Sequence, residues 1–267
     1  MRSVGNIQKI TKAMKMVAAS RLKGAQQRAE KSRLLVQPFV RLLGDTPGAE
    51  TESMTIVPVS SDKGLCGGIN TAVVKYTTVL KAMNKDQASL NIIGDKARSQ
   101  LLRISPELVK QTVVDTTKQP LTFSTASAIA DSIKATNTPK AQVVYNRFVS
   151  AIAFKPTVAT ILNSDELEKA AEEGVNAFDS YEIEGPDRSE FLLDLSEFKM
   201  GAILYNAMLE NNTSELGSRM QSMENSSKNA SEMLQKLTLL YNRTRQAAIT
   251  TELIEIISGA SSLESKD

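Results

Sequence analysis

The chain has 267 residues, with 32 Lys and Arg against 30 Asp and Glu, one cysteine and neither histidine nor tryptophan. Lacking histidine, it cannot build a Ser-His-Asp triad, a Cys-His pair or an imidazole metal site; with Cys66 alone it has no internal disulfide, which fits a reducing compartment. Scarce aromatics (4%) beside plentiful Ala, Leu, Glu, Lys and Met favour long helices over a dense globule.

The net charge of +2 conceals an uneven distribution. Residues 1–50 hold ten Lys and Arg against Glu30, Asp45 and Glu50, and residues 165–190 hold ten Asp and Glu against Lys169 and Arg188. No apolar run approaches the roughly 18 residues that would span a bilayer. The basic first forty residues resemble a transit peptide in composition. The same pattern runs on as one amphipathic helix, which argues against that reading.

In chain order, Val4, Ile7, Ile10, Met14, Val17 and Leu22 recur at mostly three- and four-residue steps. That spacing predicts a helix with one apolar edge, running towards Leu43 and stopped by Gly44-Asp45-Thr46-Pro47-Gly48. Forty residues at about 1.5 Å each make a rod of roughly 60 Å. From Met54 short β-branched runs alternate with helical segments. Strands are predicted at Thr55–Ser60, Leu90–Asp95, Val109–Thr116, Gln142–Phe148 and Ala151–Leu162, and helices at Ile69–Met83, Lys96–Ile104 and Thr122–Thr136. Such alternation implies an α/β domain, Rossmann-like, with a largely parallel sheet. The acidic stretch 164–190 reads as a short helix, a strand near Tyr181–Ile183 and a turn at Gly185-Pro186.

All eight prolines lie between Pro38 and Pro186, so nothing interrupts a helix from about Ser189 onward. Leu216, Met220, Met223, Ala230, Leu234, Leu237, Tyr241 and Ala248 fall on one heptad series, with Ser227 and Thr244 filling the gaps. The expected architecture is a long antiparallel coiled coil of N-terminal (1–45) and C-terminal (189–267) helices, with the α/β domain (54–186) inserted between them. Towards its end, Tyr241–Leu263, the apolar residues spread round the helix. A helix apolar on most sides is normally buried, so this segment calls for a socket on a partner.

Ser61-Asp62-Lys63-Gly64-Leu65-Cys66-Gly67-Gly68 lies between a strand and a helix, where phosphate loops sit. It matches neither GxGxxG nor GxxxxGK[ST], and its lysine precedes the glycines. A tight turn packed against something is the plainer account. Cys66 as a nucleophile lacks a histidine base. The basic N-terminal helix has three readings: a nucleic-acid grip, a solvated coiled-coil face, or a track facing an acidic protein surface. Few aromatics are available to stack bases, which weighs against nucleic acid. Arg245 and Gln246, set in apolar surface, suit interfacial hydrogen bonding. Glu252 and Glu255 share a face without implying a cleft.

Three stretches together resemble the gamma subunit, the central stalk, of F-type ATP synthases. They are Asn6–Ser20 (NIQKITKAMKMVAAS), Ser61–Gly68 (SDKGLCGG) and Tyr241–Ala260 (YNRTRQAAITTELIEIISGA), the last filling the family signature with Ile249, Thr250, Glu252, Glu255, Gly259 and Ala260. YNRTRQA and SDKGLCG look more like mitochondrial members. The N-terminal helix starts several residues late against the family, the expectation for a processed or trimmed chain.

The resemblance implies a non-catalytic rotor shaft without cofactor or metal, on the matrix side of the mitochondrial inner membrane. Its implied partners are the alpha and beta subunits of the catalytic head, the small delta and epsilon stalk subunits and the membrane c-ring. Arg245 and Gln246 resemble the family's catch residues, and Met14 and Lys15 the site facing the catalytic subunit's acidic lever. Ile254, Ile256 and Ile257 would turn in an apolar collar, and Tyr181, Glu182 and Glu184 would meet the rotor ring. The alternative from the residues alone is a nucleotide-binding α/β protein with coiled-coil arms.

Overall fold

A computed structural model describes residues 1–43, 51–84, 88–136, 138–172, 185 and 187–264, without the side chains of 171, 172 and 260–264. The chain divides into two compact units, Met1–Met16 with Met223–Asp267, and Val17–Ser222. Helices α1 (Arg2–Leu43) and α6 (Arg188–Glu264) each contribute to both.

In the larger unit five strands, β1 (Met54–Pro58), β2 (Ala88–Ile93), β3 (Val109–Val113), β4 (Lys140–Ser150) and β5 (Ala153–Leu162), form one sheet in the order β3-β2-β1-β4-β5. The first four are parallel neighbours, and β5 runs back against β4 as an antiparallel edge. Central β1 is buried at all five residues, as a strand covered on both faces must be. Successive side chains alternate between those faces. Met54 and Ile56 pack with Val73, Val74, Ala97 and Leu101 of α2 (Ile69–Met83) and α3 (Asp95–Ile104). Val57 and Val59 turn towards α4 (Phe123–Lys134) and the Met200–Met208 stretch of α6. Pro156 falls on the edge strand β5, where a missing N–H does least harm.

A short α5 (Ser164–Glu172) closes a third cluster, in which Leu167 meets Leu43, Leu162 and Leu192. The predicted strand near Tyr181–Ile183 lies outside the described residues. Each observed strand begins or ends within a few residues of its predicted bounds. Helix α1 continues through Pro38. The proline deprives the Leu34 carbonyl of its partner, and Leu34 is 68% exposed, on the side where water can replace it.

The apolar edge of α1 is not where the sequence places it. Ile7, Ile10 and Val17 are each more than half exposed, although Leu22 is buried as expected. In the larger unit the buried positions before Leu43 are Ala18, Leu22, Ala25, Ala29 and Ser32, a strict alternation of four- and three-residue steps. Thr11 continues the series in the smaller unit, flanked by half-buried Gln8 and Lys15. Small side chains hold all of these buried places except that of Leu22, while Ile7, Ile10 and Val17 are turned outward.

Polar bonds fix α1 against α6 and the sheet. Glu210, fully buried on α6, receives the Arg33 guanidinium through both its Nε and its Nη2, the latter at 3.0 Å. The same Arg33 Nη2 donates to the Phe148 carbonyl at 2.7 Å, and the Phe148 N–H donates to Glu210 at 2.8 Å. The carboxylate holds the already basic guanidinium still more firmly protonated. Ser32 donates to Asn206 at 2.9 Å, Asn146 to Asn211 at 3.0 Å, and Ser214 to the Asn146 carbonyl at 2.9 Å. Three aromatic contacts add to this, joining Phe39 to Phe198, Phe198 to Phe123 and Phe123 to Tyr205 with ring centres 5.5–6.0 Å apart.

Replacing Glu210 with Ala strands one cation and one buried N–H. We expect a stability loss of about 3 kcal/mol, at the low end for a broken buried pair because Arg33 keeps some solvent. Urea unfolding of the full chain measures it, and a double-mutant cycle with Arg33→Ala should return a coupling above about 1 kcal/mol.

Candidate functional site

Two regions carry the candidate residues, one in each unit. In the smaller unit, α1 and α6 run antiparallel. Lys15 pairs with Glu224 at 3.2 Å, and Thr238 donates to the Met1 sulfur at 3.6 Å, so descent along α1 matches ascent along α6. Lys228 approaches the same carboxylate at 3.6 Å. The Lys15 bond and charge hold the Glu224 carboxyl below its ordinary value. Met14 and Lys15 are both half-buried in this pairing. The predicted α6 seam holds at Met223 and Ala230, which are buried, and at half-buried Ser227, Leu234 and Leu237. Tyr241, Thr244 and Ala248 are exposed, so the seam ends after Leu237.

From Arg243 to Gly259 every residue of α6 is exposed. Ile249, Leu253, Ile254, Ile256 and Ile257 show 50–68% of their surface. At 3.6 residues per turn Ile249, Leu253, Ile256 and Ile257 share one face and Ile254 widens it to an arc of about 160°, with Thr244, Thr251, Glu252, Glu255 and Ser258 on the opposite side. Arg245 and Gln246 are exposed within the same segment. The Gln246 carbonyl accepts the Thr250 hydroxyl at 2.9 Å, a bond within the helix that leaves the glutamine side chain to solvent. The candidate residues thus form two groups. Arg245 lies 21 positions beyond Glu224, the partner of Lys15, which is about 30 Å along a helix. The third group, Tyr181, Glu182 and Glu184, lies outside the described residues.

In the larger unit the chain order turns back at β1, with β2 and β3 to one side and β4 to the other. In open α/β sheets that reversal opens a crevice at the carboxyl ends of the strands, where ligands bind. Here the loop after β1 enters it and α6 closes over it. Ser218 donates to the Cys66 carbonyl at 2.5 Å, and Arg219 to the Gly64 carbonyl at 3.2 Å. Gly67 has φ +62°, and a Cβ there would stand 2.9 Å from both the Ser218 and Ser222 hydroxyls. Gly94, opening α3 at φ +99°, would place a Cβ 2.4 Å from the Ser60 carbonyl. These glycines serve backbone approach.

Inside the loop Asn70 donates to Ser61 at 2.8 Å and to the Cys66 sulfur at 3.2 Å. Burial pushes the Cys66 thiol up, the opposite of what a nucleophile requires. Burial also raises the Glu215 carboxyl, only partly offset by its ion pair with Arg219. Among the described residues no group of three or more potential ligands is placed to hold a metal, and no helix is long and apolar enough to cross a membrane.

Comparison with known proteins decides the family. A family model described as ATP synthase matches residues 1–263. The mitochondrial ATP synthase gamma subunit of Arabidopsis thaliana is 51% identical over 271 residues, covering 99% of this chain and 83% of that protein. The chain belongs to the ATP synthase gamma-subunit family. The mitochondrial gamma subunit of Pichia angusta is 39% identical, with 99% of this chain and 97% of its relative covered. Among solved structures, a central stalk and c-ring structure of the Tetrahymena thermophila mitochondrial ATP synthase contains a chain 30% identical, at TM-score 0.67, covering 82% of this chain and 99% of that one. A chain of the Euglena gracilis mitochondrial ATP synthase shares the fold at TM-score 0.83 and 22% identity, covering 99% and 92%.

In the sequence Arg33 is only one of the ten Lys and Arg of residues 1–50, and nothing there pairs it with Glu210. The usable signal was a lone carboxylate directly after the largely apolar run Ala202–Leu209, a place that favours a cation once buried.

Two outcomes follow for the loop of this gamma-family chain. Gly67→Ala combines a left-handed backbone with a crowded Cβ, and should cost about 1–2 kcal/mol in urea unfolding. The raised Glu215 carboxyl favours the fold below its unfolded value of about 4.3, and that contribution is lost as pH rises through the folded value. Wild type should therefore gain stability relative to Glu215→Gln as pH is lowered, in paired urea midpoints taken between about pH 8 and about pH 5.

Proposed function

We propose that this chain is the central rotor shaft of a mitochondrial F-type ATP synthase. It couples proton-driven rotation of the membrane ring to successive conformational change in the catalytic subunits. The observation that carries the reading is the Arg243–Gly259 segment of α6, exposed at every residue and carrying a broad apolar face, in a chain of the gamma-subunit family. Apolar patches of this kind mark sites of protein association. An apolar arc of about 160°, with Arg245 at its edge and Gln246 within it, suits a socket that wraps much of the helix, as a flat docking face would need only a narrower stripe.

The terminal helices (1–45 and 189–267) serve as the shaft and the α/β domain (54–186) as the foot. Ile254, Ile256 and Ile257 act as the bearing surface. Arg245 and Gln246 supply the polar hold on a catalytic-subunit loop, since an arginine amid apolar surface makes strong, directional bonds. Met14 and Lys15 face the acidic lever of that subunit. Tyr181, Glu182 and Glu184 meet the c-ring, beside the small delta and epsilon subunits. The chain is a peripheral subunit on the matrix side of the inner membrane, and the chemistry of ATP is performed elsewhere in the complex. Each catalytic subunit meets a different side of an asymmetric shaft, so rotation biases their open and closed states in turn.

The loop after β1 supports this over a nucleotide-binding enzyme. The crevice that would receive a nucleotide is closed by Ser218 and Arg219 of α6.

Gentle lysis and native mass spectrometry should find the chain in a complex with an ATP-hydrolysing ring of larger subunits; an isolated monomer would contradict the proposal. Arg245→Ala should lower coupled ATP synthesis at least several-fold without moving the melting temperature of the chain, because Arg245 is exposed and takes no part in the core. A matching fall in both would assign it a structural role.

A further inference from the structure

Beside the closed crevice, and still within the larger unit, lies an open cavity of about 480 Å³. It is bounded by α1, α6, the loop after β1 and the segment Thr117–Leu121 that follows β3. Its lining carries five cationic side chains, Arg21, Arg28, Lys63, Lys118 and Arg219, against one carboxylate, Glu215. Two of the cations are already matched, Arg219 by Glu215 and Lys118 by Asp115 at 2.7 Å. The neighbouring Asp62 is occupied as well, accepting from the Asp95 N–H at 3.1 Å and the Thr117 hydroxyl at 3.4 Å. Arg21 and Arg28 stand in no ion pair among the described residues, and Lys63 shares the charge of Glu215 with Arg219.

We propose that this cavity binds a short phosphate chain, a di- or triphosphate anion, between the Arg21 and Arg28 guanidiniums and the Lys63 ammonium. Arg21, Gly24 and Arg28 stand at steps of three and four and so share one face of α1. A Cβ on Gly24 would meet nothing within 4 Å. The glycine adds no side chain to the cavity wall between the two arginine positions. Planar guanidiniums match phosphate oxygens in paired hydrogen bonds, and Lys63 adds a compact point charge. Two unmatched guanidiniums, with Lys63 and Arg219 sharing the single Glu215 carboxylate, leave the cavity with net positive charge that suits a multiply charged phosphate chain near neutral pH. The position agrees with the fold, since Lys63 and Thr117 follow the carboxyl ends of β1 and β3, the edge at which doubly wound sheets receive ligands. The volume lies within the range of small-molecule sites, roughly 300–1,000 Å³.

The shared chemistry is the phosphate chain, carried either by an inorganic polyphosphate or by the tail of a nucleotide. Calorimetric titration of the full chain with tripolyphosphate, at constant ionic strength, should show saturable binding to a single site. Gly24→Glu places a carboxylate in the cavity without touching the core, and should weaken binding at least tenfold while the ligand-free melting temperature stays unchanged. Arg28→Gln, an exchange at an exposed position, should weaken it in the same direction and serves if Gly24→Glu fails to fold. ATP binding as tightly as tripolyphosphate identifies the nucleotide tail as a source. Markedly weaker ATP binding identifies the inorganic anion. The proposal is overturned if tripolyphosphate gives no saturable signal, if a folded variant binds it as wild type does, or if ATP binds where tripolyphosphate does not. It is equally overturned if citrate or an oligoglutamate peptide binds as well at the same ionic strength.

Discussion

The buried bond set of Arg33, Glu210 and the Phe148 backbone is the constraint on which the larger unit depends. It joins α1, α6 and β4 at one place, and neither charge can be left alone. A carboxylate removed from water has a large desolvation cost, which only a well-placed cation and further hydrogen bonds offset. Glu210 has the cation and also the Phe148 N–H. The seam of α1 gains little from grease, because Ala18, Ala25, Ala29 and Ser32 each remove little apolar surface from water. Register between the helices is therefore set by polar bonds, those of Glu210 and of Ser32 with Asn206. A slip of one residue along either helix would separate all of them at once.

Much of the fold was legible in the sequence because its signals are local. Proline-free ends, β-branched runs and glycine-bearing turns each report on a few neighbouring residues, and the alternation of strands and helices implies the parallel sheet. The sidedness of α1 was misread for a physical reason. Hydrophobic periodicity finds large residues, whereas close helix pairing selects small ones, so Ile7, Ile10 and Val17 drew attention away from Thr11, Ala18 and Ala25. Long-range polar partners escape local reading altogether. Arg33 and Glu210 are 177 positions apart, and only the folded chain brings them together. The exposed tip was visible as a segment too apolar for its place, and the grip and bearing roles proposed for it rest on resemblance to a family.

Helix α6 also shows that hydropathy alone does not decide burial. The stretch Lys199–Asn211 is buried at every position but half-exposed Tyr205, enclosed by the sheet, α4 and α1, while Ala247–Ile257 is exposed throughout. Both are rich in Ala, Leu and Ile. The first is held by its own chain and is a matter of folding stability. The second has no covering element among the described residues, so its apolar surface is available to a partner.

The crevice closed by α6 has a further meaning in terms of effective concentration. A diffusible ligand in such a place binds in proportion to its supply, can be displaced by a competitor and leaves at a finite rate. Here the occupant is covalently part of the chain, so its local concentration is fixed by geometry and does not change with supply. Ser218 and Arg219 cannot be diluted away or outcompeted short of opening the fold. What would have been binding energy has become a permanent term in the stability of the sheet's own edge, and a mutation such as one at Gly67 acts on it as a ligand analogue of poorer fit would, with no remedy from concentration.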